Sequence, residues 1–309
     1  MAVAGRNGFV SLPLTIADQL DFFRAEGLDV EFADPGAGTA TFQALASKAV
    51  DVVSGSFDEV LHLHNRGQQV QAFVLQGRAP QIAVGVSNRN LPNYETLADL
   101  RGKRIGVSVL GAPGHLVSGV LLSRAGIKDA DVVYVSVGGA AGAVAALRNG
   151  QIDAISHTDP VMTLLEQRGE VKLVADTRTL KGTVELFDGP MPAACLYAPA
   201  DFAVKYPQTA QALTHGVVRA LKWLHTAGLR DIIKTVPEAY LLGDRALYLA
   251  SFNKVREGFS LDGLLPPESA RTALNALAIF EPGFKADRID LDRTYTNEFA
   301  RVAKGRFRV

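Results

Sequence analysis

The 309-residue chain has one cysteine, one tryptophan and no excess of charge of either sign, with 32 Lys plus Arg against 32 Asp plus Glu. A lone thiol, Cys195, excludes an intrachain disulfide and a cysteine-rich zinc site. Zero formal charge without a long basic run argues against a nucleic-acid binder, because phosphate neutralisation supplies much of such a protein's affinity. No run of about 18 apolar residues occurs, so no helix would cross a membrane. Low-complexity tracts and flexible linkers are missing too. Gly111-Ala112-Pro113-Gly114-His115 lacks the Gly-Lys-Ser/Thr ending of a phosphate loop, and no complete dinucleotide fingerprint follows a strand. No acidic cluster has calcium-loop spacing. No cofactor and no metal are therefore expected.

What remains is a globular composition, 48% hydrophobic and 21% charged, long enough for two domains. The most informative feature is an internal similarity at an offset of about 102 residues: Gly36 lies over Gly138, Ala44-Leu45 over Ala146-Leu147, Val50-Asp51 over Ile152-Asp153, and Ser54 over Ser156. Each copy reads in one order. A short apolar strand (1–5; 104–109) precedes a helix (13–26; 114–125). A β-branched strand (30–33; 132–137) and a glycine turn follow, then a second helix (39–47; 141–149) and a closing strand (50–54; 152–156). Such alternation predicts βαβ units and mostly parallel sheets, and two copies predict two similar lobes. Strands are expected at 71–75, 81–86, 171–174 and 193–197, a short helix at 97–102, and a mostly helical last hundred residues, with Trp223 a core residue of a long amphipathic helix.

Ligands of open α/β sheets sit outside the carboxyl ends of the strands, where loops open into helix N-termini. Six loops qualify, three per copy. The first copy places Asn7 and Phe9, then Gly38 and Thr39, then Ser56 there, and the second places Gly114 and His115, then Gly139, then His157 and Asp159. Glycine in a βα turn and Ser, Thr or Asp at an N-cap are also ordinary structural choices. Arg78 follows a strand and suits either a bidentate clamp on an oxyanion or a surface position near a hinge. Asp159-Pro160 reads as N-cap then N1; an Asp159 that also faced the cleft would favour a ligand amino group. His62 and His64, two apart on a helix, read as surface residues. Asp51 and Asp153 are placed at the far ends of their sheets, in turn contacts.

Gly27-Leu28-Asp29-Val30-Glu31-Phe32, the Gly36-Ala37-Gly38 turn, Ala49 through Gly55, Leu97 through Val107 and Ala146 through Ala154 occur together, in this order and spacing. The set resembles the solute-binding proteins of ABC importers of the nitrate, sulfonate and taurine group, which also includes thiamine-pyrimidine binders, over roughly residues 1–225. The resemblance implies an α/β, two-lobed type II periplasmic-binding-protein-like fold, with lobe 1 formed by 1–82 and 198–309 and lobe 2 by 83–197. Its two crossings would lie near 81–86 and 194–197, and the C-terminal helices would pack mainly on lobe 1. It also implies closure on a small polar or anionic solute of the sulfonate, carboxylate or pyrimidine class. The partners would be that solute, an ABC permease and its ATPase, with the binding protein a periplasmic monomer whose leader is absent from this sequence.

An enzyme on the same fold is the alternative, since desulfinases use a cysteine nucleophile in the cleft and thiamine-pyrimidine synthases carry a cysteine-rich motif. The early loops here hold no cysteine, and Cys195 falls in an apolar strand where a buried, inert thiol is the default.

Overall fold

A computed structural model describes residues 1–36, 40–241 and 243–309. Its strands are β1 (Ala2–Val3), β2 (Val53–Ser56), β3 (Val70–Leu75), β4 (Ile82–Ser87), β5 (Arg104–Val107), β6 (Val133–Ser136), β7 (Ala154–Thr158), β8 (Val171–Asp176) and β9 (Ala194–Pro199). Its helices are α1 (Leu12–Gln19), α2 (Ala40–Ala46), α3 (Phe57–Asn65), α4 (Pro113–Arg124), α5 (Ala140–Arg148), α6 (Val161–Gln167), α7 (Leu180–Phe187), α8 (Phe202–Lys205), α9 (Pro207–Thr226), α10 (Leu229–Thr235), α11 (Arg245–Val255), α12 (Pro267–Phe280) and α13 (Glu298–Phe307).

Two mixed sheets form, in the orders β1-β2-β9-β3 and β6-β5-β7-β4-β8. The repeat reappears in them as corresponding pairs: β1 with β5, α1 with α4, α2 with α5, β2 with β7. Both β1–β2 and β5–β7 are parallel, as βαβ units require. The expected strand at 30–33 shrinks to a single bridge, Ala2 with Ala33. Its neighbour β1 is only two residues long, so the edge has little to pair with, and Val30 and Phe32 pack instead against the adjoining core. The first copy's helix is also shorter than expected, ending at Gln19 before a 3₁₀ turn at Arg24–Glu26.

The chain leaves the first sheet after Leu75 and enters the second at Ile82, so the outward crossing spans 76–81. The return also falls earlier than expected, because β9 lies wholly in the first sheet, where Val53 pairs with Tyr197 and Gly55 with Cys195. The two crossings are bonded side by side: the Gln76 amide donates to the Ala194 carbonyl at 2.7 Å and the Ala193 amide to Gly77 at 2.8 Å. This pairing makes one narrow double-stranded waist rather than two independent tethers.

Beyond Ala200 the chain is helical. Helix α9 buries Leu213, Val217, Ala220, Leu221 and Leu224 on one stripe, the spacing of a helix covering a core. It packs with α1, α13 and β3 in the first body. Trp223 sits at the edge of this core, half-buried, rather than inside it. Helix α12 departs from the expected segregation, since it packs against both α3 and α4 and so touches both bodies.

Candidate ligand cleft

A cavity of about 720 Å³ opens between the strand ends of the two sheets. The first body lines it with the 4–11 loop, the end of β2 and the start of α3. The second lines it with 108–117, 139–140 and 156–161. The N-termini of α3, α4 and α5 converge on this space, with Ser56, Ala112 and Gly139 as their N-caps. Neither α4 nor α5 has an acidic residue in its first turn, so their amide dipoles face the cavity uncompensated.

Seven of the eleven residues singled out in the sequence line the cavity: Asn7, Phe9, Ser56, Gly114, Gly139, His157 and Asp159. Gly38 and Thr39 lie outside the described residues. Phe9 serves both wall and core, 4% exposed with its ring 4.7 Å from Tyr248. Gly114 allows α4 to sit hard against β7, because a Cβ there would stand 2.9 Å from the Ser156 carbonyl oxygen. His157 is in the wall, but its Nε2 faces the Gly138 carbonyl at 3.1 Å and its Nδ1 the Thr158 carbonyl at 3.3 Å, which makes it a brace for the turn before α5.

Asp159 lines the cavity without being free to receive a ligand. Its Oδ1 accepts from the Thr163 amide at 2.7 Å and its Oδ2 faces Arg178 at 3.4 Å. Burial raises its pKa, and the Arg178 guanidinium pulls it back. Arg178 itself is wholly buried and also pairs with Asp176 and Glu166.

Two residues are not in the cleft. Arg78 lines a separate pocket on the waist with Thr179, His225 and Lys254, and its Nε donates to the Glu257 carbonyl at 3.0 Å. The crossing at 76–81 carries it away from the β3 strand end. His115 lies behind its loop. Its Nδ1 accepts from the Gly111 amide at 3.1 Å, its Nε2 meets Asp129 at 3.1 Å, and its ring packs on Tyr134 and Phe280. It stands two places after Pro113, the first residue of α4, where the turn of the helix rotates it off the cleft face.

The residues that sequence reading missed are Asp58 and Glu59, in the first turn of α3, and both line the cavity. Burial, with the neighbouring Asp58 charge second, pushes the Glu59 carboxyl up to about 7. Burial also raises Asp58, with His62 opposing. Thr41 donates to Glu59 Oε1 at 3.1 Å. Gly55 makes room for this carboxylate: a Cβ there would run into Glu59 Oε2 and stand 2.9 Å from the Tyr197 ring. The available signal was a pair of acids directly after a cleft strand, easily taken for ordinary N-terminal helix residues. His62 and His64 are also half-buried rather than on the surface: His62 lines the cavity and binds Glu281 at 2.8 Å, while His64 meets the Val70 carbonyl at 2.7 Å.

The profile described as NMT1/THI5 like matches residues 9–227. The chain belongs to the NMT1/THI5-like family. A solved protein from Bordetella bronchiseptica RB50 is 50% identical to this family member, covering 100% of this chain and 97% of that one at a TM-score of 0.93. The alkanesulfonate-binding protein SsuA from Xanthomonas axonopodis pv. citri, solved with MOPS, superposes at 0.71 with 18% identity over 96% of each chain. The periplasmic nitrate-binding protein NrtA from Synechocystis PCC 6803 gives 0.70 with 15% identity, over 99% of this chain and 87% of that one. These two likenesses establish the periplasmic-binding-protein fold. The protein YtlA of Bacillus subtilis (strain 168), whose name describes a candidate binding protein, is 21% identical over 74% of this NMT1/THI5-like chain and 66% of its own length. Among the described residues no helix is long and apolar enough to cross a membrane.

Proposed function

We propose that this protein is the solute-binding component of an ABC importer. It captures a small polar or anionic organic molecule, of sulfonate, carboxylate or pyrimidine class, between two lobes. The lobes follow the sheets, near the expected 1–82 with 198–309 and 83–197 but with β9 belonging to the first lobe. The observation that carries the reading is the cavity itself, lined from both bodies across a narrow waist. A solute touching both walls stabilises the closed arrangement, because only closure completes its contacts. The uncompensated N-termini of α4 and α5 suit an oxyanion on the solute. The similarity to sulfonate-, nitrate- and other binding proteins supports the same reading. In it the closed protein works as a periplasmic monomer and docks on a permease driven by an ATPase.

The enzyme alternative draws on a desulfurization enzyme of the same fold, similar at a TM-score of 0.64 with 17% identity. Cys195 does not supply a nucleophile for it. The thiol is wholly buried, and burial followed by the Glu59 and Asp58 charges raises its pKa well above the ordinary range, whereas thiol chemistry needs an accessible thiolate.

Native followed by denaturing mass spectrometry tests the proposal. A small molecule released in stoichiometric amount supports it. A protein that neither releases nor binds any member of a sulfonate, carboxylate and pyrimidine panel, while turning over a substrate in a Cys195-dependent way, overturns it.

A further inference from the structure

The charges in the cleft are unevenly placed. Four carboxylates line it, Asp58, Glu59, Asp159 and Glu281, against Arg66 among the described Lys and Arg residues. Two of the four are already matched, Asp159 by Arg178 and Glu281 by His62. Among the described residues Asp58 and Glu59 form no ion pair with a Lys or Arg, and Arg66 is exposed, two turns along α3 from them. An orphaned acceptor lies behind the cavity-lining Ser54. Gln76 is wholly buried, and its Nε2 donates at 2.8 Å to Ser54 Oγ, a cavity-lining hydroxyl. Its Oε1 has no partner among the described residues. Two carboxylates on the cavity wall, held by hydroxyl donors but facing no cation, favour a ligand that brings positive charge.

We infer that the first-body wall of the cleft seats a cationic nitrogen of the solute, an amine or amidinium, at Asp58 and Glu59. This rests on the solute-binding reading and narrows its substrate class to members that also carry a cationic nitrogen, such as zwitterions whose anionic end meets the second body. The rest of the site agrees. Phe9, Phe42 and Tyr248 wall the same cavity with apolar surface for the solute's body. The groups facing Glu59 are Asp58 and His62 on its own helix, Thr41 on α2, and Tyr197 with Cys195 on β9, and none of them is a fixed cation. The Glu59 carboxyl, held near 7, is free to surrender its proton when a cation arrives.

Three planar probes of nearly equal shape test this: benzamidine, benzamide and benzoate, which carry positive, zero and negative charge. Isothermal titration calorimetry at pH 7.5 on the full chain is expected to show benzamidine binding at least about ten-fold tighter than benzamide. In Glu59→Gln and Asp58→Asn, both near-isosteric, that preference shrinks to about two-fold or less, with far-UV circular dichroism reporting intact folding. A preference surviving in both variants, benzamidine no tighter than benzamide, or no binding of benzamidine at all overturns the inference. Benzoate binding with lobe closure while benzamidine is ignored also overturns it, yet leaves the solute-binding reading standing. Loss of that reading would show separately, as no closure with any solute of the panel above.

Discussion

Glu59 is the residue on which the chemistry of this cleft turns. Its carboxyl is raised from about 4.5 to about 7, chiefly by burial. An acid whose folded pKa lies above its unfolded value binds more protons when folded. Its destabilising contribution is therefore absent below about pH 4.5 and grows until the pH passes about 7. Without ligand, the protein is expected to lose on the order of 2 kcal/mol between pH 4.5 and 7.5 from this group. Asp58, raised by burial as well, steepens the same slope. Thermal midpoints across that range check it, and Glu59→Gln should flatten the profile; an equally steep profile in the variant would remove Glu59 as its source. Gly55 is the companion position. Gly55→Ala places a methyl against Glu59 and Tyr197, with an expected stability cost of about 1–3 kcal/mol, read from urea unfolding midpoints, together with weakened benzamidine binding. Unchanged affinity would mean the carboxylate is not held where binding needs it.

Among the elements, the ion network around Arg178 joins pieces that no local pattern connects. Arg178 follows β8 and holds Asp159, after β7, and Glu166 on α6; Glu166 in turn meets Lys254 on α11 at the end of the first-body helices. Breaking such a network from its buried centre leaves uncompensated charge. Arg178→Met is therefore expected to cost about 3–5 kcal/mol in urea unfolding. Adding Asp159→Asn should recover part of that loss, and additivity of the two substitutions would show that they do not interact. The repeat belongs to this scale as well. It made the βαβ order of both bodies legible, because apolar alternation and glycine turns are local. The edge at 30–33 was not legible, because whether a strand forms there depends on the length of its neighbour β1.

For the whole molecule, the paired crossings and α12 are the connections across which the two bodies would move. Linkage requires that a solute bound only by the folded, closed protein stabilise it: at a free concentration one hundred times Kd the gain is about 2.7 kcal/mol. For a chain of this size that corresponds to roughly 5 °C in Tm by differential scanning fluorimetry. Small-angle scattering should show the radius of gyration falling under the same conditions. A solute that raises Tm while leaving the scattering unchanged would refute closure as the binding step.

The sequence by itself determined the two-body α/β plan, the helical C-terminal third and most of the loops that line the cleft. Each of those follows from periodicity and turn chemistry within a few dozen residues. It also located Asn7, Phe9, Ser56, Gly114, Gly139, His157 and Asp159 at the cleft, because strand ends and helix starts are local features. Only the tertiary structure decided which side chains face inward and which are already spoken for. Arg78 was carried off by the crossing, His115 was turned behind its loop, and Asp159 was bound by an arginine 19 residues away. The same holds for the charge of the cleft. Asp58 and Glu59 were two unremarked acids until the β9 strand and α2 closed around them, and their burial, a property of the whole fold, gives the cavity its character.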